Sequence, residues 1–496
     1  MTAPPSIADP AAIATLRGVL DRVSYTGETI RQALGTEEEI LSRAREIPVQ
    51  MRRLRGRGTF GALVQLFVLN EPTPTQLVRD GLAPLGLDAA QRMGLLRVDG
   101  DRVLPLVKLV PHDELVIASD LRILPGDAAP NDHVPGVHRP SVTLAFLTVR
   151  TPVERGLDLG TGNGIEAILM SRHVKHVVAS DVNARAIEFA KFNGILNGTP
   201  NIDWRVGSWF EPMKDERFDV ISCNPPYVIS PASEFIYRDS GMKGDSVSEQ
   251  VTREVAAHLS EGGFGTLTVS WVADPNDTDA LPVRRWVQDS GCDAWILHYR
   301  TEDPLSTAKI WNEQDAVDMA AYAKVLDEWM AYYDSLGITA IAYGAIVLRK
   351  RSSVSNWARI DAMPVGRLEP ASEHILRVFA AQDHLQAIGD DGALLDERFR
   401  VPATVRITQT STPSGPAGEP QLSLAEGLGF QVEIDTNVMR VVQRLSDGRL
   451  RDALGAAATA GGISGANRQR FVSAGAALAR RLYAMGFIER DATKSR

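Results

Sequence analysis

The sequence predicts an α/β protein: a mostly parallel sheet in the middle of the chain, covered by helices on both faces, with a mostly helical module on either side. Three observations carry that prediction. Between residues 156 and 349 short apolar runs alternate with segments of helical periodicity, the pattern of strand–helix–strand units that build parallel sheets. Glycines at 160, 162 and 164 stand between the first of those strands and the first helix, and an acidic residue, Asp181, ends the second strand. The alternation stops on both sides of this run, and 496 residues exceed one ordinary core. Three domains are therefore expected, at 1–125, 126–355 and 365–496.

Composition narrows the class. Hydrophobic residues at 44% and charged residues at 23% are globular values. With 53 Lys and Arg against 62 Asp and Glu, the formal charge is −9, which gives no overall basic field to attract nucleic acid. Only Cys223 and Cys292 occur. They exclude a disulfide framework and a cysteine-based metal site, and both read as small buried residues. There is no basic-then-apolar leader and no apolar run approaching ~20 residues, so a cytoplasmic protein outside the membrane is expected.

Along the first module, residues 11–23, 26–34 and 37–46 carry apolar side chains at helical spacing, with Thr26 and Thr36 as N-caps. Gly58-Thr59-Phe60-Gly61 leads into a helix at 62–69. Thr73-Pro74-Thr75-Gln76 reads as a capped helix start, and 87–96 as a further helix. A turn at Asp99-Gly100-Asp101 joins 95–98 to 102–107 in a hairpin, and short helices followed by a hairpin resemble a winged-helix module. Arg52, Arg53, Arg55 and Arg57 form a basic cluster, yet residues 1–125 hold 15 basic and 15 acidic residues. A duplex-binding face needs more excess charge than that. Protein docking or substrate orientation is the favoured role, with nucleic-acid contact left open.

Residues 126–150 link this module to the next. His133-Val134-Pro135-Gly136-Val137-His138-Arg139-Pro140-Ser141 is turn-rich, and a helix follows at 142–149. His133 and His138 have no further ligand residues at metal spacing, so they read as surface or satisfied histidines and no metal is expected. Strands follow at 156–159, 176–180, 202–206, 218–223, 263–270, 294–299 and 340–349. Helices are expected at 164–172 and 184–196, the second stopping at Asn197-Gly198. Helical spacing at 315–335, between the last two strands, marks an inserted helical hairpin near 300–335, a candidate lid.

The third module reads as a helix at 372–381, strands at 404–410 and 430–434, and a loop at Ser411-Thr412-Pro413-Ser414-Gly415-Pro416. Asp435 or Thr436 caps a helix through 445, and 468–485 is a long helix. With 16 basic and 15 acidic residues from 365 on, it too lacks a strong field. It also resembles a winged helix.

The chemistry lies in three pieces of the middle domain. Gly160, Gly162 and Gly164, with Thr161 and Asn163 between them, form a turn that glycine suits, because it tolerates positive φ and admits a ligand close to the backbone. Such a turn alone also serves dinucleotide folds, so its surroundings decide. Asp158, at the strand end, is placed to hold the amino-acid portion of a cofactor directly or through water. Asp181, followed by Val182 and Asn183, is placed to take both ribose hydroxyls.

Asn224-Pro225-Pro226-Tyr227 is the deciding piece. A planar nitrogen is hard to methylate because its lone pair is conjugated. The Asn224 side-chain oxygen and the Pro225 carbonyl can each accept one N–H of an NH2 group, aligning that nitrogen about 3 Å from an electrophilic methyl. The prolines stiffen the turn, and Tyr227 offers a flat face for stacking. No ionised base is required, since the proton can leave after transfer.

From about 133 to 350 the chain resembles the Asn-Pro-Pro-Tyr class of S-adenosylmethionine-dependent methyltransferases, and within it the HemK/PrmC-like protein-glutamine N5-methyltransferases. The resemblance rests on Gly160–Gly164, on Asn193-Gly194-Ile195-Leu196-Asn197-Gly198, on Tyr237-Arg238-Asp239-Ser240-Gly241 with Gly244-Asp245, and on Leu259-Ser260-Glu261-Gly262-Gly263. It implies a Rossmann-like seven-stranded methyltransferase sheet, S-adenosylmethionine as cofactor, Ser208 and Trp209 near the adenine, and Asn224 orienting the acceptor nitrogen. The sequence departs from the family pattern at Arg139-Pro140-Ser141, which lacks a following Glu, and in both flanking modules and the insertion.

Two substrate classes follow. One is a glutamine side-chain amide in a protein of the translation machinery, a translation factor or ribosomal protein. The other is an exocyclic amine of adenine or guanine in RNA or DNA, which presents a similar planar NH2. Tyr227 and the 238–245 loop favour glutamine; the flanking modules and Arg52–Arg57 favour nucleic acid, a case the neutral module charge weakens.

Overall fold

The structure, a computed structural model, describes residues 3–36, 46–123, 130–231, 236–239, 241–274, 276, 280–313, 318–352, 355–364, 369–413 and 415–491. The chain divides into two compact units, Met1–Ala145 with Arg150–Asp361, and Phe146–Val149 with Ala362–Arg496.

The first unit opens with helices α1 (Pro10–Arg22), α2 (Gly27–Leu34), α3 (Ile47–Arg53) and α4 (Gly58–Phe67). Thr26 caps α2, its hydroxyl accepting from Thr29 N. The helix expected at 37–46, with its Thr36 cap, lies mostly outside the described residues. Strand β1 (Thr73–Pro74), α5 (Thr75–Leu82) and α6 (Leu87–Arg92) precede the expected hairpin, β2 (Leu96–Asp99) and β3 (Arg102–Pro105). The start of α5 has no side-chain cap, because Thr73 is used as a strand residue beside β3. A second hairpin, β4 (Lys108–His112) and β5 (Leu115–Ser119), was not foreseen in the sequence.

This module and the sheet domain share one core. Ile13, Leu16, Leu66, Phe67 and Val78 pack with Phe189, Phe192 and Leu196. Those three belong to α9 (Ala184–Leu196), which follows α7 (Arg139–Leu147) and α8 (Ile165–Met170). The same helix holds the free edge of β5. Asn193 Oδ1 accepts from Ala118 N at 2.7 Å and its Nδ2 donates to Ala118 O at 2.9 Å; one turn later Asn197 makes the same pair with Val116. Residues four apart on a helix share a face, and residues two apart on a strand share an edge, so the two amides stand in for a paired strand.

The sheet comprises the seven expected strands, β6 (Val153–Leu159), β7 (Val174–Asp181), β8 (Ile202–Val206), β9 (Phe218–Cys223), β10 (Leu259–Val272), β11 (Cys292–Glu302) and β12 (Ile341–Lys350). An eighth, β13 (Ala358–Ala362), extends it beyond the expected set. The order is β13-β11-β12-β10-β9-β6-β7-β8, with β12 antiparallel to both neighbours. One face packs Leu157, Leu159, Ile221 and Leu267 against α10 (Ser246–His258) and α11 (Leu281–Val287). The other packs Val177, Ala179 and Val220 against Ala167 and Met170 of α8. Strand order reverses between β6 and β9, and Leu159 pairs in register with Cys223. The loops after these two strands therefore start side by side, at the kind of crevice where open α/β sheets bind ligands.

The expected insertion is the helix pair α12 (Pro304–Asn312) and α13 (Met319–Ser335) between β11 and β12. Its Ala308, Trp329 and Tyr333 pack on Val228 and Ile229, just after the Asn-Pro-Pro-Tyr turn.

In the second unit, α14 (Ser372–Ile388) precedes a three-stranded antiparallel sheet of Val405–Thr408, Gln421–Leu424 and Gln431–Glu433. Asp435 caps the helix Thr436–Val442, accepting from Asn437 N and Val438 N at 2.8 Å each. The helix Ala466–Ala484 matches the expected long one, while Leu450–Ala460 went unforeseen.

Candidate active site

The loop after β6 is organised by its own carboxylates. Asp158 is 1% exposed. Its Oδ2 accepts from Thr161 Oγ1 at 2.6 Å and from Ala167 N at 3.0 Å, and its Oδ1 from Ser222 Oγ at 3.3 Å. Burial pushes its pKa up to about 6 against those bonds. Gly160 N and Thr161 N both donate to Ser180 O at 2.9 Å. Asp181 Oδ2 accepts from Gly162 N and Oδ1 from Asn183 N, each at 2.8 Å, and burial raises its pKa as well. Each Asp181 oxygen keeps a lone pair for a further donor.

The three glycines do different work. Gly160 and Gly162 have φ of +74° and +55°, and a Cβ on Gly162 would project into open space. Gly164, at φ +89°, is instead pressed against α9, where a Cβ would stand 2.9 Å from the Ala190 Cβ. It is a packing glycine and does not line the cavity. Asn163 and Asn183 serve the loop's own architecture. Asn163 Oδ1 accepts from Ile165 N at 3.1 Å and its Nδ2 donates to Pro135 O at 3.0 Å. Asn183 caps α9 through Arg185 N at 3.0 Å and donates to Asp132 O at 2.9 Å.

On the facing wall, Asn224 Oδ1 accepts from Thr268 Oγ1 at 2.5 Å, and the Pro225 carbonyl accepts from Tyr227 N at 2.8 Å. Ser270 Oγ donates to Tyr227 O. Thr268 and Ser270 lie two apart on β10 and so project from one face of the strand. Both acceptors meant for a substrate nitrogen are thus held by one internal bond each, with one lone pair remaining.

A cavity of about 310 Å³ opens between the walls. It is lined by Asp158, Gly160, Thr161, Gly162 and Asn163, by Asp181, Val182 and Asn183, by Ser208 and Trp209, and by Asn224, Pro225 and Pro226. Of the expected site residues, Gly164 and Tyr227 are not part of the lining. Tyr227 turns into the cluster beneath the inserted helices, its ring 6.5 Å from that of Tyr343 in an edge contact, and burial raises its hydroxyl pKa. The tyrosine in the lining is instead Tyr237.

Several lining residues escaped the sequence reading. His133 and His138, read there as surface or satisfied, are both in the wall; His138 Nδ1 lies 3.0 Å from Ser141 Oγ, and burial lowers its pKa. Asp239 is buried, held by Arg238 Nε at 2.9 Å and Ser230 Oγ at 2.8 Å. Glu166 is 7% exposed, and its Oε1 has no hydrogen-bond partner. A legible signal existed for two of these features: Glu166 interrupts the apolar run Ile165–Met170, and Thr268 and Ser270 alternate with apolar residues in a central strand. Among the described residues no His, Cys, Asp and Glu side chains gather as a metal site. No described helix is long and apolar enough to cross a membrane.

The donor set fits S-adenosylmethionine. The size is at the lower end for small-molecule sites (about 300–1,000 Å³), the glycine loop leaves open space where a side chain would intrude, and buried carboxyls face a cationic ligand. Comparison with known proteins agrees. Residues 142–264 match the methyltransferase small domain, and residues 22–106 match a domain of unknown function, DUF7059. The chain is 35% identical over 109 residues to the release factor glutamine methyltransferase of Aliivibrio fischeri, covering 21% of this chain and 38% of that protein. It is 36% identical over 129 residues to the ribosomal protein uL3 glutamine methyltransferase of Bradyrhizobium diazoefficiens, 23% of this chain and 40% of that one. With the release factor glutamine methyltransferase of Aquifex aeolicus it shares 33% over 157 residues, 27% of this chain and 55% of that one. The chain thus spans about half the length, or less, of these curated relatives. Residues 142–264 thus form an S-adenosylmethionine-dependent methyltransferase domain, and over part of its length the chain is similar to protein-glutamine methyltransferases of the HemK-like class.

Proposed function

We propose that the protein methylates the side-chain amide nitrogen of a glutamine in a protein of the translation machinery. The observation that carries this reading is the pairing of the two loops: the glycine turn and Asn224 leave adjacent, in-register strands and face one cavity. S-adenosylmethionine supplies a methyl group activated by its sulfonium.

The chain's own residues hold, align and exclude. Asp181 and the backbone of 160–162 bind the cofactor's ribose and amino-acid portions. Thr268 fixes the Asn224 amide, so that Asn224 Oδ1 and the Pro225 carbonyl present two acceptors to the two hydrogens of a planar NH2. That grip turns the lone pair towards the methyl. It also favours an NH2 over a substituted nitrogen, because both hydrogens are used. The positive charge gained by the nitrogen is relieved when its proton leaves to solvent after transfer.

The activities of the relatives, on a release factor and on ribosomal protein uL3, support a protein glutamine as the acceptor. The basic cluster of the first module does not add support for nucleic acid. Arg52 donates to Pro48 O at 2.7 Å, Arg53 to Gly35 O at 2.8 Å and Arg57 to Arg53 O at 3.1 Å, so three of the four guanidiniums are engaged by nearby carbonyls.

The test uses S-adenosylmethionine labelled in its methyl group, the purified protein, and a lysate of cells lacking it. Label that resists nuclease and is released by protease in a peptide containing methylglutamine is the expected result. Label lost on nuclease treatment would overturn the choice of substrate.

A further inference from the structure

Four carboxyls line the cavity, those of Glu166, Asp158, Asp181 and Asp239, the last already held by Arg238 and Ser230. Asp158 is bonded to Ala167 N, next to Glu166 in the chain, and to Thr161, next to the Gly162 whose N–H Asp181 accepts, so Asp158 links Glu166 and Asp181. Asp181 gives both oxygens to the glycine loop and the start of α9. Asp158 accepts three bonds from its own loop, helix and neighbouring strand. Glu166, on the first turn of α8, differs. It is 7% exposed and its Oε1 is sealed from solvent without a donor.

A carboxylate buried without a donor or a cation is costly, and persists where something else completes it. His138, in the same cavity wall, does not, since its Nδ1 is engaged with Ser141 and burial disfavours its charged form. Arg150 acts on Glu166 only through its charge, and its Nη2 donates to Ala145 O at 2.9 Å.

We propose that Glu166 binds the α-ammonium group of the cofactor's amino-acid portion, in a cavity where the other carboxyls already accept bonds from the protein. The assignment rests on S-adenosylmethionine being the cofactor. Asp181 and Glu166 line the same cavity on either side of the Asp158-bonded loop, so a cofactor whose ribose is held at Asp181 would have its amino-acid end on the Glu166 side. An ammonium offers three N–H donors and the sulfonium none, so the unfilled Oε1 matches the ammonium.

Calorimetric titration of the wild type and Glu166→Gln with S-adenosylmethionine, S-adenosylhomocysteine and methylthioadenosine tests this. The third ligand keeps the adenosine but lacks the amino-acid portion, so its binding also reports a folded site. The expected result is a loss of about ten- to hundredfold for the first two ligands alike, with methylthioadenosine unchanged. Glu166→Ala is expected to repeat the pattern. Unchanged affinity for S-adenosylhomocysteine overturns the assignment. Loss confined to S-adenosylmethionine would move the carboxylate to the sulfonium, and an equal loss for methylthioadenosine would make Glu166 structural; either overturns it. A wild type that binds none of the three would remove the cofactor reading itself, a failure separable from that of Glu166.

Discussion

The two walls of the cavity are built in opposite ways. On the cofactor wall most of the bonds that shape the loop run within residues 158–183, Thr161 to Asp158, Ala167 to Asp158 and Gly162 to Asp181, with Ser222 on Asp158 and Pro135 on Asn163 as the remote ones. On the acceptor wall the supports are remote. Asn224 is held by Thr268, Tyr227 by Ser270, and the Ile229 carbonyl by the Tyr333 hydroxyl at 2.8 Å from the inserted helices. The first wall is one strand–loop–helix that largely bonds itself. The second is a short turn whose aim depends on β10 and on the insertion. Cofactor binding and acceptor alignment should therefore be separable by mutation.

The largest effect is expected at Asn224. Asn224→Ala removes the contact proposed to the acceptor nitrogen and should lower kcat at least about a hundredfold, while the Kd for S-adenosylhomocysteine stays within roughly twofold. Loss of cofactor affinity in step with turnover would show that the walls are not independent.

A second break uses pH. The Asp158 carboxyl has a folded pKa of about 6 against 3.8 for the ordinary group, because burial disfavours its charge. Between those values the folded state binds more protons than the unfolded one. Asp158 therefore costs stability progressively as pH rises through the window, up to roughly 3 kcal/mol above pH ~6. Denaturant unfolding of the unliganded protein should show Asp158→Asn gaining on the wild type between about pH 4.5 and 6.5, then running parallel. A constant difference across that range would contradict the buried-carboxyl account.

Asp181→Ala should have the converse effect to Asn224→Ala. It removes the acceptor of Gly162 N and Asn183 N along with the ribose contact, and should weaken S-adenosylhomocysteine by about ten- to hundredfold in calorimetry. Turnover at saturating cofactor should change far less. The smallest effect is the sharpest test of remote support. Thr268→Val keeps shape in a position 3% exposed but deletes the hydroxyl on Asn224. It should reduce kcat about three- to tenfold with unchanged cofactor affinity. Wild-type turnover would mean that the Asn224 amide needs no anchor.

The difference between the walls also explains what could be read in advance. All seven expected strands of the sheet form, and the helix at 184–196 was placed to the residue, because periodicity and caps are local signals. Asp158, Asp181 and the glycine turn were legible for the same reason: their bonding partners lie within the same unit. Gly164 was counted with the ligand-facing glycines, yet it answers to Ala190 on α9, a contact invisible in a turn motif. Tyr227 was expected to stack on the acceptor, but β12 offers Tyr343 as a neighbour and the ring turns that way.

By itself, then, the sequence determined the order of elements, the class of fold, and the identity of the residues at the ends of β6, β7 and β9. Those features depend on backbone preference and on neighbours within a few turns. The tertiary structure decided which of those residues face the cavity. It brought Thr268 and Ser270 under the Asn-Pro-Pro-Tyr turn, used Asn193 and Asn197 to pin the first module to α9, and left Glu166 buried without a donor. Each of these depends on chains of contacts between distant segments, and hydrogen-bond capacity at such points is settled only when every competing partner has been placed.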